Sequence, residues 1–99
     1  MAAYIVASIE ETDPVAFERY RDAALPVVAQ YGGRSLIQGT KYERLEGTWA
    51  PRRIVIIEFP SEEAARRWHE SPEYQAPKAL RATCAQTEML LFKGRDQPG

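Results

Sequence analysis

The chain reads as an α+β fold: one four-stranded antiparallel sheet in βαββαβ order, helices on one face and a second copy of the chain on the other. Two observations predict it. The run Ile54-Val55-Ile56-Ile57-Glu58-Phe59 is apolar at five of its six positions, so both faces of that strand are to be covered; a half-exposed strand would alternate. The segments around it run strand, helix, strand, strand, helix, strand, and right-handed crossovers place both helices on the same face. The opposite face is left apolar, and a second sheet of the same kind is its simplest cover.

The first strand is Ala3–Ile9, where Tyr4, Ile5, Val6 and Ile9 favour extended structure and alternate positions form two sets. Asp13 then caps a helix and Pro14 occupies its first position, where the missing N–H costs nothing. The helix runs to about Tyr31 on a stripe of Phe17, Tyr20, Ala24, Val27, Val28 and Tyr31. Pro26 is expected to kink or divide it. Gly32-Gly33 ends it, the first glycine as a left-handed cap. The second strand is Arg34–Gly39, with a continuation towards Leu45, a turn at Glu46-Gly47 and an irregular Trp49-Ala50-Pro51. The third is Arg53–Phe59, closed by Pro60. Ser61 caps the next helix, and Glu62 and Glu63 oppose the positive end of its dipole. Its Ala64, Ala65 and Trp68 face the core. Ser71-Pro72 interrupts it, and a second helical piece covers Pro72–Ala82, with a distortion expected near Pro77. The fourth strand is Gln86–Lys93. Two βαβ halves of this kind make the ferredoxin-like arrangement, a single domain over 1–94 followed by a flexible polar tail over 95–99.

Composition narrows function by exclusion. Ninety-nine residues make one domain, and a chain of this length buries roughly 60–65% of its unfolded surface, so association that hides more apolar area helps it. A formal net charge of −1 argues against nucleic acid and anionic membranes as partners. No stretch approaches the ~20 apolar residues of a membrane span, and the start Met1-Ala2-Ala3-Tyr4 shows no secretory pattern. Cys84 is the single cysteine, which rules out an internal disulfide and fits a reducing, cytoplasmic setting.

Asp13-Pro14, Tyr31-Gly32-Gly33-Arg34, Leu45-Glu46-Gly47-Thr48-Trp49, Ile57-Glu58-Phe59-Pro60-Ser61 and Trp68-His69-Glu70-Ser71-Pro72-Glu73-Tyr74 together resemble the domain-of-unknown-function family 1330, within the dimeric α/β-barrel superfamily. The resemblance covers Tyr4 to about Phe92. It implies a ferredoxin-like protomer whose sheet packs on a partner's to form a barrel, in agreement with the uncovered face. Members commonly carry an aromatic residue where this chain has His69. The superfamily includes small monooxygenases, lactone isomerases, haem-using enzymes and stress-induced proteins, which share a cavity between sheet and helices or inside the barrel and no single chemistry.

Glu58 is the sharpest catalytic candidate. It shares parity with Ile54 and Ile56, whereas Val55, Ile57 and Phe59 face the helices, so it points into the barrel. Desolvation there raises a carboxylate's pKa towards that of a useful acid or base. The structural alternative is an ion pair with Arg34 or Arg53, or a position at the barrel rim in water. Arg34, after the double glycine, offers a forked grip on a carboxylate or enolate, or merely pairs with Glu58 or a helix-end carbonyl. Tyr4, Ser8, Tyr31, Trp49, His69 and Tyr74 are the candidate lining of a substrate pocket; as core or interface aromatics they have a structural reading as well. Trp49 is the best single interface residue. His69 is the only histidine, so no metal-ligand spacing is present and a two-histidine haem or iron site is excluded within one chain; a single axial ligand is not. Cys84 reads as a small buried hydrophobe and Arg66-Arg67 as a solvated helix face.

Two readings compete. One is an enzyme without metal or other cofactor, acting on a small organic acid or aromatic by proton transfer or oxygenation, with Glu58 moving the proton and Arg34 steadying the anion. The other is a non-catalytic homodimer that binds a small ligand or serves in stress response. The first needs a pocket of a few hundred Å³ beside these residues.

Overall fold

The computed structural model describes residues 1–95. Its elements are β1 (Ala3–Glu11), α1 (Pro14–Gln30), β2 (Arg34–Gly39), β3 (Arg53–Phe59), α2 (Glu62–Glu70), α3 (Pro72–Cys84) and β4 (Ala85–Lys93). The four strands form one sheet in the order β2-β3-β1-β4, and every neighbouring pair is antiparallel. The α+β, ferredoxin-like reading is the fold observed.

The helix starts follow from their caps. The Asp13 carboxylate accepts from the Ala16 N–H at 3.2 Å, and Ser61 Oγ does the same for Ala64 at 3.0 Å. Ser71 ends α2 and caps α3, its hydroxyl donating to the Trp68 carbonyl and accepting from the Tyr74 N–H. Neither proline divides its helix: α1 continues through Pro26 and α3 through Pro77 to Cys84. Pro26 is exposed, so water can serve the carbonyl one turn back that a proline cannot satisfy. At the end of α1 the chain must turn at once. Gly32 takes φ +83°, and a Cβ on Gly33 would stand 2.7 Å from the Phe59 ring and 2.8 Å from Val28. The double glycine is a matter of conformation at one position and of space at the other.

The core lies between the helices and one sheet face. Ile5, Ala7 and Ile9 of β1 and Ile57 and Phe59 of β3 meet Phe17, Tyr20, Val28, Ala65, Trp68 and Tyr74 from the helices. The small Ala65 lets α2 approach the strands, whereas α1 lies against α3 and stands off the sheet. β2 stops at Gly39 and does not run on towards Leu45; residues 40–52 form an irregular segment without strand partners. β2 also carries a bulge between Ser35 and Ile37. The tail expected over 95–99 lies, apart from Arg95, outside the described residues.

Candidate functional site

The strand registers lay out the open sheet face as a grid. Arg34, Glu58, Tyr4 and Phe92 stand side by side across all four strands. The next row on that face is Ile37, Ile56, Val6 and Leu90, and the one after it Gly39, Ile54, Ser8 and Glu88. The outward side of β3 is therefore apolar at Ile54 and Ile56, and Ile37, Leu90 and Phe92 of the neighbouring strands are exposed on the same sheet face.

Glu58 holds the middle of the first row. The Arg34 Nε–H donates to its Oε1 at 2.8 Å, and the Tyr4 hydroxyl donates to its Oε2 at 3.1 Å. The Glu58 side chain keeps 26% of its surface open and Arg34 keeps 73%. The hydrogen bond to the carboxylate holds the Tyr4 phenol above its ordinary pKa, because the phenolate would lose that bond and meet a like charge. Beside this row, a cleft of about 600 Å³ lies between the sheet face and the 40–52 segment. Val6, Ile37, Ile54 and Ile56 form its floor; Tyr42, Leu45 and Trp49 line the other side. Trp49 is 70% and Leu45 84% exposed.

The other predicted lining residues divide between the two sides of the sheet. Ser8 lies on the open face, at a shallow cleft shared with Trp49 and Glu88. Tyr31, His69 and Tyr74 lie on the helix side. The Tyr31 hydroxyl donates to Glu73 Oε2 at 2.7 Å, which ties the end of α1 to α3; this bond raises the Tyr31 pKa and lowers that of Glu73. Tyr74 is fully buried. Its hydroxyl shares a 2.7 Å hydrogen bond with Tyr20 and accepts from Arg81 Nη1 at 2.8 Å. Burial first, then the Tyr20 phenol, pushes its pKa far above the ordinary range. His69 is half-buried against Trp68 and Tyr74. Desolvation, aided by Lys78 and Arg81, lowers its pKa. These three do not meet Glu58.

Arg53, one of the two partners weighed for Glu58, is on the opposite face and pairs with Glu11 at 3.3 Å. Its parity with Val55, Ile57 and Phe59 placed a guanidinium on the covered side of the sheet; that was the sequence signal for a polar group in the helix–sheet interior. Cys84 is buried, and desolvation raises its thiol pKa. Among the described residues no group of three or more His, Cys, Asp or Glu side chains could hold a metal ion, and no helix is long and apolar enough to cross a membrane.

Solved structures share this fold at low identity. A protein of unknown function from Rhodopseudomonas palustris, RPA0582, superposes with a TM-score of 0.78 at 17% identity, over 97% of this chain and 84% of that one. SnoaB, a cofactor-independent oxygenase from Streptomyces nogalater, gives 0.71 at 18% identity, over 97% and 95%. A dimeric ferredoxin-like protein of unknown function from Bacteroides fragilis gives 0.67 at 13%, over 94% and 96%. No curated protein matches. The family described as domain of unknown function DUF1330 matches residues 2–95, nearly the whole of the sequence whose motifs suggested it, and the chain belongs to that family.

Proposed function

We propose that this protein is a homodimeric enzyme without metal or other cofactor, which removes a proton from a small enolisable or aromatic acid on the open face of its sheet. The observation that carries this reading is the row Arg34–Glu58–Tyr4, a carboxylate between a guanidinium and a phenol at the edge of a bare apolar face. A second copy packed over that face removes water from the row, and charge–charge contacts strengthen accordingly. SnoaB, a cofactor-independent oxygenase, and the dimeric protein from Bacteroides fragilis support the reading as proteins of the same fold.

Glu58 takes the proton as its carboxylate becomes a carboxylic acid, and the electron pair of the broken C–H or O–H bond stays on the substrate. Arg34 uses Nε for Glu58; its two Nη groups have no hydrogen bond among the described residues and are free for the developing oxyanion. Tyr4 restrains the second carboxylate oxygen. With dioxygen as co-reactant, the carbanion passes one electron to O2, the resulting radical and superoxide join in a C–O bond, and the peroxide anion takes back the proton held by Glu58, which gives a hydroperoxide and restores the carboxylate.

The test is exchange of substrate C–H for deuterium, followed by proton NMR in D2O over a panel of small β-keto, enolisable and phenolic acids. The wild-type dimer should accelerate exchange for at least one class. Glu58→Gln should reduce that rate by about 10²–10⁴, the usual worth of a positioned base, and leave the dimer and its melting point intact. Equal exchange by wild type and Glu58→Gln, or none across the panel, would leave Glu58 as a structural ion pair and the chain as a non-catalytic ligand-binding dimer.

A further inference from the structure

Between β2 and β3, residues 40–52 leave the sheet at its third row, beside Gly39 and Ile54, and fold back over the open face. This arm covers Val6, Ile37, Ile54 and Ile56 of the second and third rows and makes the outer wall of the cleft of about 600 Å³. Trp49 stands at the far end, beside Ser8 and Glu88. The arm itself fixes that place. Gly47 turns the chain at φ +82°, and the Arg44 Nε–H donates to the Trp49 carbonyl at 3.2 Å. The first row lies outside this cover. None of Tyr4, Arg34 and Glu58 borders either cleft that Trp49 lines. Along β1 the step from Tyr4 to Ser8 puts the row about 13 Å from the indole's end of the face. One end of the face is thus covered by its own chain and the other is bare, with the Arg34 side chain 73% and Phe92 52% exposed.

That asymmetry restricts how two such faces can meet. Two identical sheets face each other only when their two-fold axis lies between them. With the axis along the strands, the third rows coincide and the two arms collide. With the axis across the strands, each third row faces the partner's first row, and each arm takes the bare end of the other sheet. Area points the same way. Strands of nine, six, seven and nine residues make a face of about 500 Å² in projection, from about 3.3 Å per residue and about 4.8 Å between strands. A stable interface buries about 800 Å² on each partner. The exposed Tyr42, Leu45 and Trp49 make up the difference when the arm is buried together with the face.

We propose that the active site is shared between two copies: the sheets pack head to tail, and the partner's Trp49 roofs the Arg34–Glu58–Tyr4 row and stacks on the ring of an aromatic acid held there. The role of roof rests on the catalytic reading of that row; the head-to-tail packing does not. The indole supplies what the row's own chain lacks on that side, an apolar wall that excludes water and strengthens the grip of Arg34 on the developing oxyanion. It also makes Trp49 the residue that favours aromatic over aliphatic acids, since stacking on it is worth up to about tenfold.

Cross-linking tests the packing. Trp49→Cys and Phe92→Cys proteins are prepared separately, refolded together from urea and treated with a short bismaleimide; the native thiol, Cys84, is buried and stays unreacted. The mixture should give a cross-linked dimer, and Trp49→Cys alone almost none. Equal yields from the two, or no cross-link in the mixture, would overturn head-to-tail packing. Leu90→Cys, one row in on the same strand, replaces Phe92→Cys if that variant does not fold. Complementation tests the roof. Trp49→Ala should slow deuterium exchange of an aromatic acid about tenfold, and that of an aliphatic acid by less. In an equal mixture of Glu58→Gln and Trp49→Ala chains, half the dimers are hybrids with one intact site, so the rate should reach about a quarter of wild type. A rate at the mean of the two parents, about a twentieth of wild type, would put Trp49 to work in its own chain and overturn the shared site. A cross-link between positions 49 and 92 with no exchange by the wild-type dimer would overturn the catalytic reading, and the roof with it, and leave the head-to-tail dimer standing.

Discussion

Removing the hydroxyl of Tyr74 should be expensive out of proportion to its one atom. Tyr74→Phe leaves the hydrocarbon packing against Trp68, whose ring centroid is 4.4 Å away, but takes the hydrogen-bond partner of two groups: the Tyr20 hydroxyl, on a residue 8% exposed, and Arg81 Nη1. A net neutral hydrogen bond is worth about 1 kcal/mol and one to a charged group about 1.5–3. Arg81 is half-exposed and can turn to water, which discounts its share. The sum is about 2–3 kcal/mol, or a fall in melting temperature of roughly 10–20 °C for a chain of this size. Tyr20→Phe should cost about 1 kcal/mol, because Arg81 still serves Tyr74. With Tyr20 already gone, Tyr74→Phe has one bond less to break, so the double variant should fall short of the two single costs added together by about 1 kcal/mol. Urea unfolding at one fixed protein concentration measures all four proteins, so that any association contributes equally to their apparent stability. Strict additivity, or a Tyr74→Phe melting point within 3 °C of wild type, would refute the account of Tyr20, Tyr74 and Arg81 as one buried network.

Gly33→Ala puts a methyl within 2.8 Å of Phe59 and Val28 and should cost about 1–3 kcal/mol by overpacking; an unchanged urea midpoint would contradict that crowding. His69 makes a pH prediction. Burial lowers its folded pKa below the ordinary 6.5, so the unfolded chain binds the proton more readily, and stability is complete above pH 6.5 and falls as the pH drops towards the folded value. His69→Phe should flatten that limb below pH 6.5, while a limb unchanged in the variant would assign it to other groups.

Strand and helix positions were legible because they depend on local chemistry. The run from Arg53 to Phe59 is a strand with the bounds its sequence gives, and Asp13, Ser61 and Ser71 mark the helix starts. A division at Pro26 was not legible either way: whether a proline breaks a helix depends on whether the freed carbonyl reaches water, and that is decided by which side of α1 faces outwards. The pairing of Glu58 with Arg34 was readable from parity, since both lie on one face of neighbouring strands. The division of the aromatic residues was not. Tyr31, His69 and Tyr74 occur on or beside helices, and how those helices cross the sheet is a property of the packed whole. The interior arginine was half legible. Parity put Arg53 on the covered face, but only the fold shows it bound to Glu11 above Phe17.

The bulge in β2 sets how the chain tolerates a change in length. Arg34 pairs with Glu58, yet Ile37, three residues on, pairs with Ile56 on the same face, so one residue is passed over and Leu36 is the surplus. Gln38 thereby turns inward, opposite Val55, where it meets Arg21. Loss of a residue from a regular strand reverses the facing of everything beyond it. Loss of Leu36 alone would straighten the edge and leave Arg34, Ile37 and Gln38 where they are. At this one edge position a shorter homologous chain could present the same open face and the same contact between Arg21 and Gln38.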